Sequence, residues 1–249
     1  MHMRSETACE LSIVMPCLNE AETVAACVMA AWAGLSAISV PGEVIVADNG
    51  STDGSPQLAE RSGARLVHIL ERGYGNALQA GMRAARGRYV VIADSDGSYD
   101  LCCLQPFWVR LQAGDALVIG TRLKGRILPR AMPALHRYLG NPMLTALANR
   151  LFGTHLSDYH CGMRAFERAA FLRLPLQASG MEFATEMIAQ AALHGLSISE
   201  VAITYAPAGR SRPSHLRPWR DGLRHLCLML RLYIQQRQRH TLPVAQRSG

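Results

Sequence analysis

Tyr89-Val90-Val91-Ile92-Ala93 runs directly into Asp94-Ser95-Asp96-Gly97-Ser98. An unbroken apolar run of this length suits a strand buried on both faces of a parallel sheet. The acids and Gly97 that follow place negative charge at the strand's carboxyl end, where open doubly wound sheets bind their ligands. Two carboxylates two residues apart in a loop suit a hard divalent cation, Mg2+ or Mn2+, held jointly with oxygens of a ligand. By itself such a pair reads more readily as a solvated acidic turn. Its position at a strand end is what gives it chemical meaning.

Working outward, the pattern is an alternation of strands and helices. Towards the N-terminus, residues 11–15 read as a strand closed by Pro16. Residues 20–32 read as a helix with Glu20 and Glu22 in its first turn, where acids complement the dipole. A second strand over residues 43–47 ends at Asp48. Asn49-Gly50-Ser51-Thr52-Asp53-Gly54-Ser55 is a turn capping a helix over residues 56–62. A third strand (64–70), a glycine-rich turn and a helix (76–85) lead back to residues 89–93. Right-handed crossovers then predict an α/β chain with a doubly wound, mostly parallel sheet and Asp48 and Asp94 at one edge.

Towards the C-terminus the pattern predicts a helix at 101–112, a strand at 116–119 and a basic loop at 122–130. Helices at 135–151 and 182–193 and a strand at 197–204 follow. After Ala206 the chain becomes loop-like, with Pro207, Gly209, Pro213 and Pro218. A last amphipathic helix over residues 219–236 places Trp219, Leu223, Leu226, Leu230 and Tyr233 on one face. The expected organisation is a catalytic domain over 1–209 and a basic loop with an amphipathic helix over 210–249.

Composition narrows the classes. The chain has 249 residues and a net charge of +7 with histidine neutral. Residues 1–209 carry 17 Lys and Arg against 18 Asp and Glu; residues 210–249 carry 9 Arg against Asp221 alone. A neutral body with a basic end points to an anionic partner. The seven cysteines, Cys9, Cys17, Cys27, Cys102, Cys103, Cys161 and Cys227, have neither disulfide-scaffold nor zinc spacing, which points to a reducing compartment. The first residues do not read as a signal peptide, and the longest apolar run, residues 24–33, is too short for a membrane span. The expected location is the cytoplasm or, peripherally, the cytoplasmic membrane face.

Taken in order, the motifs resemble family 2 glycosyltransferases. They are Leu11-Ser-Ile-Val-Met-Pro-Cys-Leu-Asn-Glu20, Val46-Ala-Asp-Asn-Gly-Ser-Thr-Asp-Gly54, Arg72-Gly-Tyr-Gly-Asn-Ala77 and Ala93-Asp-Ser-Asp-Gly97. Gly120-Thr-Arg122, Asp158-Tyr-His-Cys-Gly-Met-Arg-Ala-Phe166 and Glu182-Phe183 further resemble the dolichyl- or polyprenyl-phosphate sugar synthase branch. The resemblance spans residues 11–215 and implies a GT-A fold. It also implies a metal-dependent hexosyltransferase that takes a GDP- or UDP-sugar donor. On that resemblance Pro16, Leu18 and Glu20 would line the base and ribose, and Asp48 would hydrogen-bond the base. Asp94 would face the ribose or the metal, and Asp96 would ligate Mg2+ or Mn2+. Arg122, Arg210 and Arg212 would hold phosphate. Asp158 would be the general base if the acceptor is a hydroxyl. The chain departs from the family pattern at Cys17, Leu18, Asn49 and Ser98, which bears on nucleotide choice and the metal shell.

Competing readings are weaker. Gly73-Tyr-Gly75 with Gly81 misplaces the third glycine of a dinucleotide loop. Ser51 with His68 or His160 lacks a nucleophile elbow. A sugar-phosphate nucleotidyltransferase would need a glycine-rich loop after the first strand, and Asp94 with Asp96 argues against a silent binding module. The tail carries no nucleic-acid-reading motif, so no nucleic acid partner is expected. The leading expectation is inverting transfer to a polyprenyl phosphate, with the tail's Arg217, Arg220, Arg224 and Arg231 meeting anionic head groups. The alternative is the same fold acting on a soluble small-molecule acceptor.

Overall fold

A computed structural model describes residues 9–212 and 217–241. Leu11–Cys17 (β1), Gly42–Asp48 (β2), Arg65–His68 (β3) and Tyr89–Ile92 (β4) form a parallel half-sheet. Val24–Ala37 (α1), Ser55–Arg61 (α2) and Tyr74–Ala84 (α3) make its crossovers. After Gln105–Gln112 (α4) comes Leu117–Ile127 (β5), then a π turn at His136–Gly140 that continues into Asn141–Phe152 (α5). Arg164–Glu167 (β6), Arg168–Leu172 (α6), Phe183–Leu193 (α7), Ile198–Tyr205 (β7) and Pro218–Thr241 (α8) follow. The sheet has seven strands in the order β3-β2-β1-β4-β6-β5-β7.

All pairings are parallel except those of β6, which runs antiparallel between β4 and β5. This strand is not foreseen from the sequence: it is four residues long and shows no alternation. Its Ala165 and Phe166 are nonetheless fully buried, because the slot between two hydrophobic strands is dry on both faces. The basic stretch expected as a loop at 122–130 is largely strand. A bulge between Thr121 and Arg126 lets β5 resume pairing, Arg126 with Thr204 and Ile127 with Tyr205.

Two helix starts also shift. α1 begins at Val24, so Glu20 and Glu22 precede it, and no acid lies in its first turn. α4 begins at Gln105, with Pro106 in its first turn.

α8 packs on α7 and α5. It buries His225, Leu228, Met229 and Leu232. Burying each of those three apolar side chains is worth about 1.5–3 kcal/mol. Of the stripe read from the sequence, Leu223 (62%) and Leu230 are exposed and Leu226 and Tyr233 half-buried, and Ile234 joins the exposed side. The helix thus has two apolar stripes on opposite faces, one in the core and one outside. The side chain of Trp219, and Pro213 in the preceding loop, lie outside the described residues. Among the described residues no helix is long and apolar enough to cross a membrane.

Candidate active site

The parallel strands β1, β2 and β4 end side by side, so the loops that follow them share one edge. The turn after β2 is tied to the loop after β1 by side chains. Asn19 is bonded to two successive residues of that turn, its backbone N–H donating to Ser51 Oγ (2.8 Å) and its Oδ1 accepting the Thr52 N–H (2.8 Å). The Ala21 N–H donates to Asp53 and the Glu20 N–H to Ser55 Oγ. Asp48 is buried, and its carboxylate accepts the Gly50 and Ser51 amides at 3.3 and 3.2 Å. Exposed His68 lies 3.5 Å from the same carboxylate. Pro16 and Leu18, half-buried, complete this corner.

Asp94 and Asp96 emerge from β4 into a turn that Gly97 completes at φ +79°, where side chains are disfavoured. The Ser98 N–H donates to Asp96 Oδ1 at 3.0 Å. Tyr74 Oη, at the start of α3, donates to Asp94 Oδ1 at 3.0 Å, a contact that joins the glycine-rich turn to the acidic one and was not foreseen. Desolvation, with Asp96 close by, raises the Asp94 pKa above the usual carboxylate range, against the lowering effect of Tyr74, Arg210 and Arg122. Two acids under that strain attract a cation. Gly162 packs closely opposite them: a Cβ there would stand 3.0 Å from Asp94 Oδ2 and 2.9 Å from Tyr99 Oη and crowd both side-chain ends.

The cation actually in contact is an arginine. Arg210 Nη1 donates to Asp96 Oδ2 (2.8 Å) and to Glu20 Oε1 (2.9 Å). Arg212 donates to Glu20 Oε1 (2.5 Å) and to the Leu18 and Asn19 carbonyls, both at 2.7 Å. Desolvation raises the Glu20 pKa in spite of these two arginines. Glu22 takes the Ser211 N–H and Oγ–H. The two acids expected to cap a helix instead anchor the segment that arrives from the far end of the chain.

Asp158 lies in the loop between α5 and β6. It is fully buried, and Arg122 grips both its oxygens, Nε to Oδ2 at 2.7 Å and Nη2 to Oδ1 at 2.8 Å. Burial alone would raise its pKa, but the bonds and charge of Arg122 hold it below the ordinary range. Glu200 of β7 accepts the Ser157 and Asp158 amides. Arg164, fully buried beneath the same loop, donates to the carbonyls of Tyr159, Cys161 and Ala184. Arg122 itself stacks near Tyr205, its guanidinium 5.2 Å from the ring centre.

The donor set fits a hard divalent ion: Asp94 and Asp96 are oxygen ligands, and the buried Ser98 hydroxyl next to them has no hydrogen-bond partner among the described residues. Among the described residues no three His, Cys, Asp or Glu side chains converge to hold a metal unaided. Magnesium-type sites commonly use one or two carboxylates and take their remaining ligands from substrate phosphates and water.

Residues 12–174 match the Glycosyl transferase family 2 profile, and the chain belongs to that family. It is an enzyme of the glycosyltransferase class with the GT-A fold. It is 41% identical over 227 residues to the low-salt glycan biosynthesis hexosyltransferase Agl6 of Haloferax volcanii, covering 91% of this chain but 54% of that protein. The chain therefore spans about half the length of this relative. A dolichyl-phosphate hexose transferase of the same organism is 30% identical over 222 residues, which is 88% of this chain and 92% of that one. Among solved structures, glucosyl-3-phosphoglycerate synthase from Mycobacterium tuberculosis with Mn2+, UDP-glucose and phosphoglyceric acid superposes with a TM-score of 0.63. It is 28% identical, with 91% of this chain and 78% of that one covered.

Proposed function

We propose that this chain transfers a hexosyl group from a UDP- or GDP-sugar to a polyprenyl or dolichyl phosphate. The observation that carries the reading is the convergence of Glu20, Asp48, Asp94 and Asp96 with Arg210 and Arg212 on one sheet edge. In this reading Pro16, Leu18 and Asp48 receive the base, with Glu20 at its border. Asp94 and Asp96 hold Mg2+ or Mn2+ together with the donor's diphosphate, and Arg210 and Arg212 supply further positive charge. When bound, the metal neutralises charge growing on the leaving nucleotide. A phosphate acceptor is already a nucleophile, so positioning matters more than proton removal. The occupied carboxylate of Asp158 supports this: both its oxygens serve Arg122, so in this reading it positions that arginine and does not act as a base. Measuring transfer with each donor and Mn2+, with and without a short polyprenyl phosphate, tests the whole reading.

Asp48→Asn tests the base contact. The amide keeps one acceptor for the Gly50 and Ser51 N–H groups while removing the charge. Losing a charged hydrogen-bond partner should weaken nucleotide binding by roughly 1.5–3 kcal/mol. Calorimetry showing unchanged affinity would leave Asp48 with only the turn to stabilise.

The lipid acceptor is favoured by an unusual apolar exposure. Tyr138 is 71% exposed, and Leu135, Leu139 and Met143 around the π turn are exposed with it. The outer stripe of α8 adds Leu223, Leu230 and Ile234, flanked by exposed Arg220, Arg224 and Arg231. Leucines in the interface with arginines at head-group level is the layout of a surface-lying helix. Each such arginine is worth about 1 kcal/mol on an anionic membrane, less in salt. Because α8 is also core, truncation is a poor test. Leu223→Ser with Leu230→Ser and Arg220→Gln should instead reduce cosedimentation with anionic vesicles. Transfer to a water-soluble acceptor should survive. Binding should also fall with ionic strength in the unsubstituted protein. Indifference to vesicles would favour the soluble, phosphate-bearing acceptor exemplified by the phosphoglyceric acid of the structural neighbour.

A further inference from the structure

Residues 206–212 form a strap across the carboxyl edge. The Ala206 N–H donates to Ser98 O (2.9 Å) and the Gly209 N–H to Asp96 O (2.8 Å). Ser211 and Arg212 then fasten the strap to the loop after β1. Between these anchors one nitrogen of Arg210 bridges carboxylates from two different loops, Glu20 and Asp96, and its side chain is only 11% exposed. Asp96 Oδ1 is engaged by the Ser98 amide and Oδ2 by Arg210, so the guanidinium covers the oxygen that a metal would use.

We propose that Arg210 is a built-in counter-cation that excludes divalent metal from Asp96 until a nucleoside diphosphate arrives with it. This rests on the metal-assisted reading above. A bare ion must displace the arginine and leave a guanidinium without an anion in a nearly dry site, which is costly. An ion carrying a diphosphate brings its own negative oxygens. The guanidinium then passes from carboxylate to phosphate, keeping a charge-assisted bond throughout. Only the second route leaves every guanidinium and carboxylate with a partner of opposite charge, so metal and nucleotide bind as a unit. Glu20 is the hinge of the exchange: its carboxylate holds Arg210 and Arg212 at once, so neither leaves the strap when Asp96 is released.

The test is Mn2+ binding to the full chain, read from the paramagnetic resonance signal of free Mn2+, with no sugar transfer involved. The unsubstituted protein should bind Mn2+ weakly alone and at least about tenfold more tightly with UDP or GDP. R210Q, which keeps a polar hydrogen-bonding group but not the charge, should bind Mn2+ alone about tenfold more tightly than the unsubstituted protein, and the gain from nucleotide should shrink. Equal Mn2+ affinity of the two proteins without nucleotide would overturn the proposal. So would an unsubstituted protein that binds Mn2+ as tightly alone as with nucleotide, a measurement that needs no variant to fold. Absence of Mn2+ binding even with both nucleotides would instead overturn the metal-assisted reading itself.

Discussion

Asp96→Ala is expected to lower sugar transfer by two to three orders of magnitude, with excess EDTA having a comparable effect on the unsubstituted enzyme. Leaving-group stabilisation through a metal is worth several kcal/mol, or about a hundred- to thousandfold in rate. The size of the loss follows from position. Asp96 is buried at the end of a strand that cannot shift, because β4 is hydrogen-bonded to β1 on one side and β6 on the other. Asp94, half-buried and bonded to Tyr74, cannot readily swing into the missing place. Asp96 also accepts the Ser98 amide and Arg210, so part of any effect could come from a collapsed turn. Asp96→Asn separates the two causes. It keeps an acceptor for Ser98 and should melt close to the unsubstituted protein while losing most of its turnover. Full activity of either variant in excess chelator would remove the metal from the mechanism.

The second large effect is on stability. Asp158→Ala should destabilise the fold by about 3–5 kcal/mol, because it leaves the Arg122 guanidinium buried without a counter-charge. The pair is sealed: Asp158 is wholly inaccessible and Arg122 nearly so. Unfolding in urea measures this directly, as a fall in midpoint at unchanged slope. The pH dependence carries the same signature. The folded-state pKa of Asp158 is depressed, so its contribution is present above the unfolded carboxylate value and is lost as pH falls through the folded one. Stability should therefore decline in acid for the unsubstituted protein and decline less for Asp158→Ala. The experiment also separates two roles for this residue. A general base replaced by Asn would cost turnover at little cost in stability, whereas an arginine-positioning carboxylate costs stability first. Replacing both partners, Arg122→Met with Asp158→Leu, should recover much of the stability.

Much of the fold is legible in the chain itself. The apolar run at residues 89–93 with its acidic stop, the strand at 43–47 ending in Asp48, and the helices between them are local patterns whose period needs no partner. The same is true of the Asn49–Ser55 turn chemistry, since glycine, serine and aspartate in that order favour a turn in any context. These features put Asp48, Asp94 and Asp96 on one edge before any coordinate is known.

What was not legible depends on partners distant in the chain. β6 becomes a strand only because β4 and β5 leave a dry, hydrogen-bonding slot between them. Glu20 and Glu22 look like helix-start acids until residues 210–212 are brought over them. α8 has two apolar stripes, and local periodicity cannot say which one α5 and α7 will cover. Tyr74 reads as part of a glycine-rich turn and is recognisable as a partner of Asp94 only once α3 is docked.

The α/β class, the strand ends and the acids that reach the carboxyl edge follow from local pattern, because strand period, turn residues and apolar runs act within a few residues. Only the tertiary structure decided that Asp158 is locked to Arg122, that Arg210 lies against Asp96, and that the outer leucines of α8 face away from the core. Charge pairing and burial are relations between segments as much as 192 residues apart. Their energies depend on which water is expelled, and that is settled only when the layers close on one another.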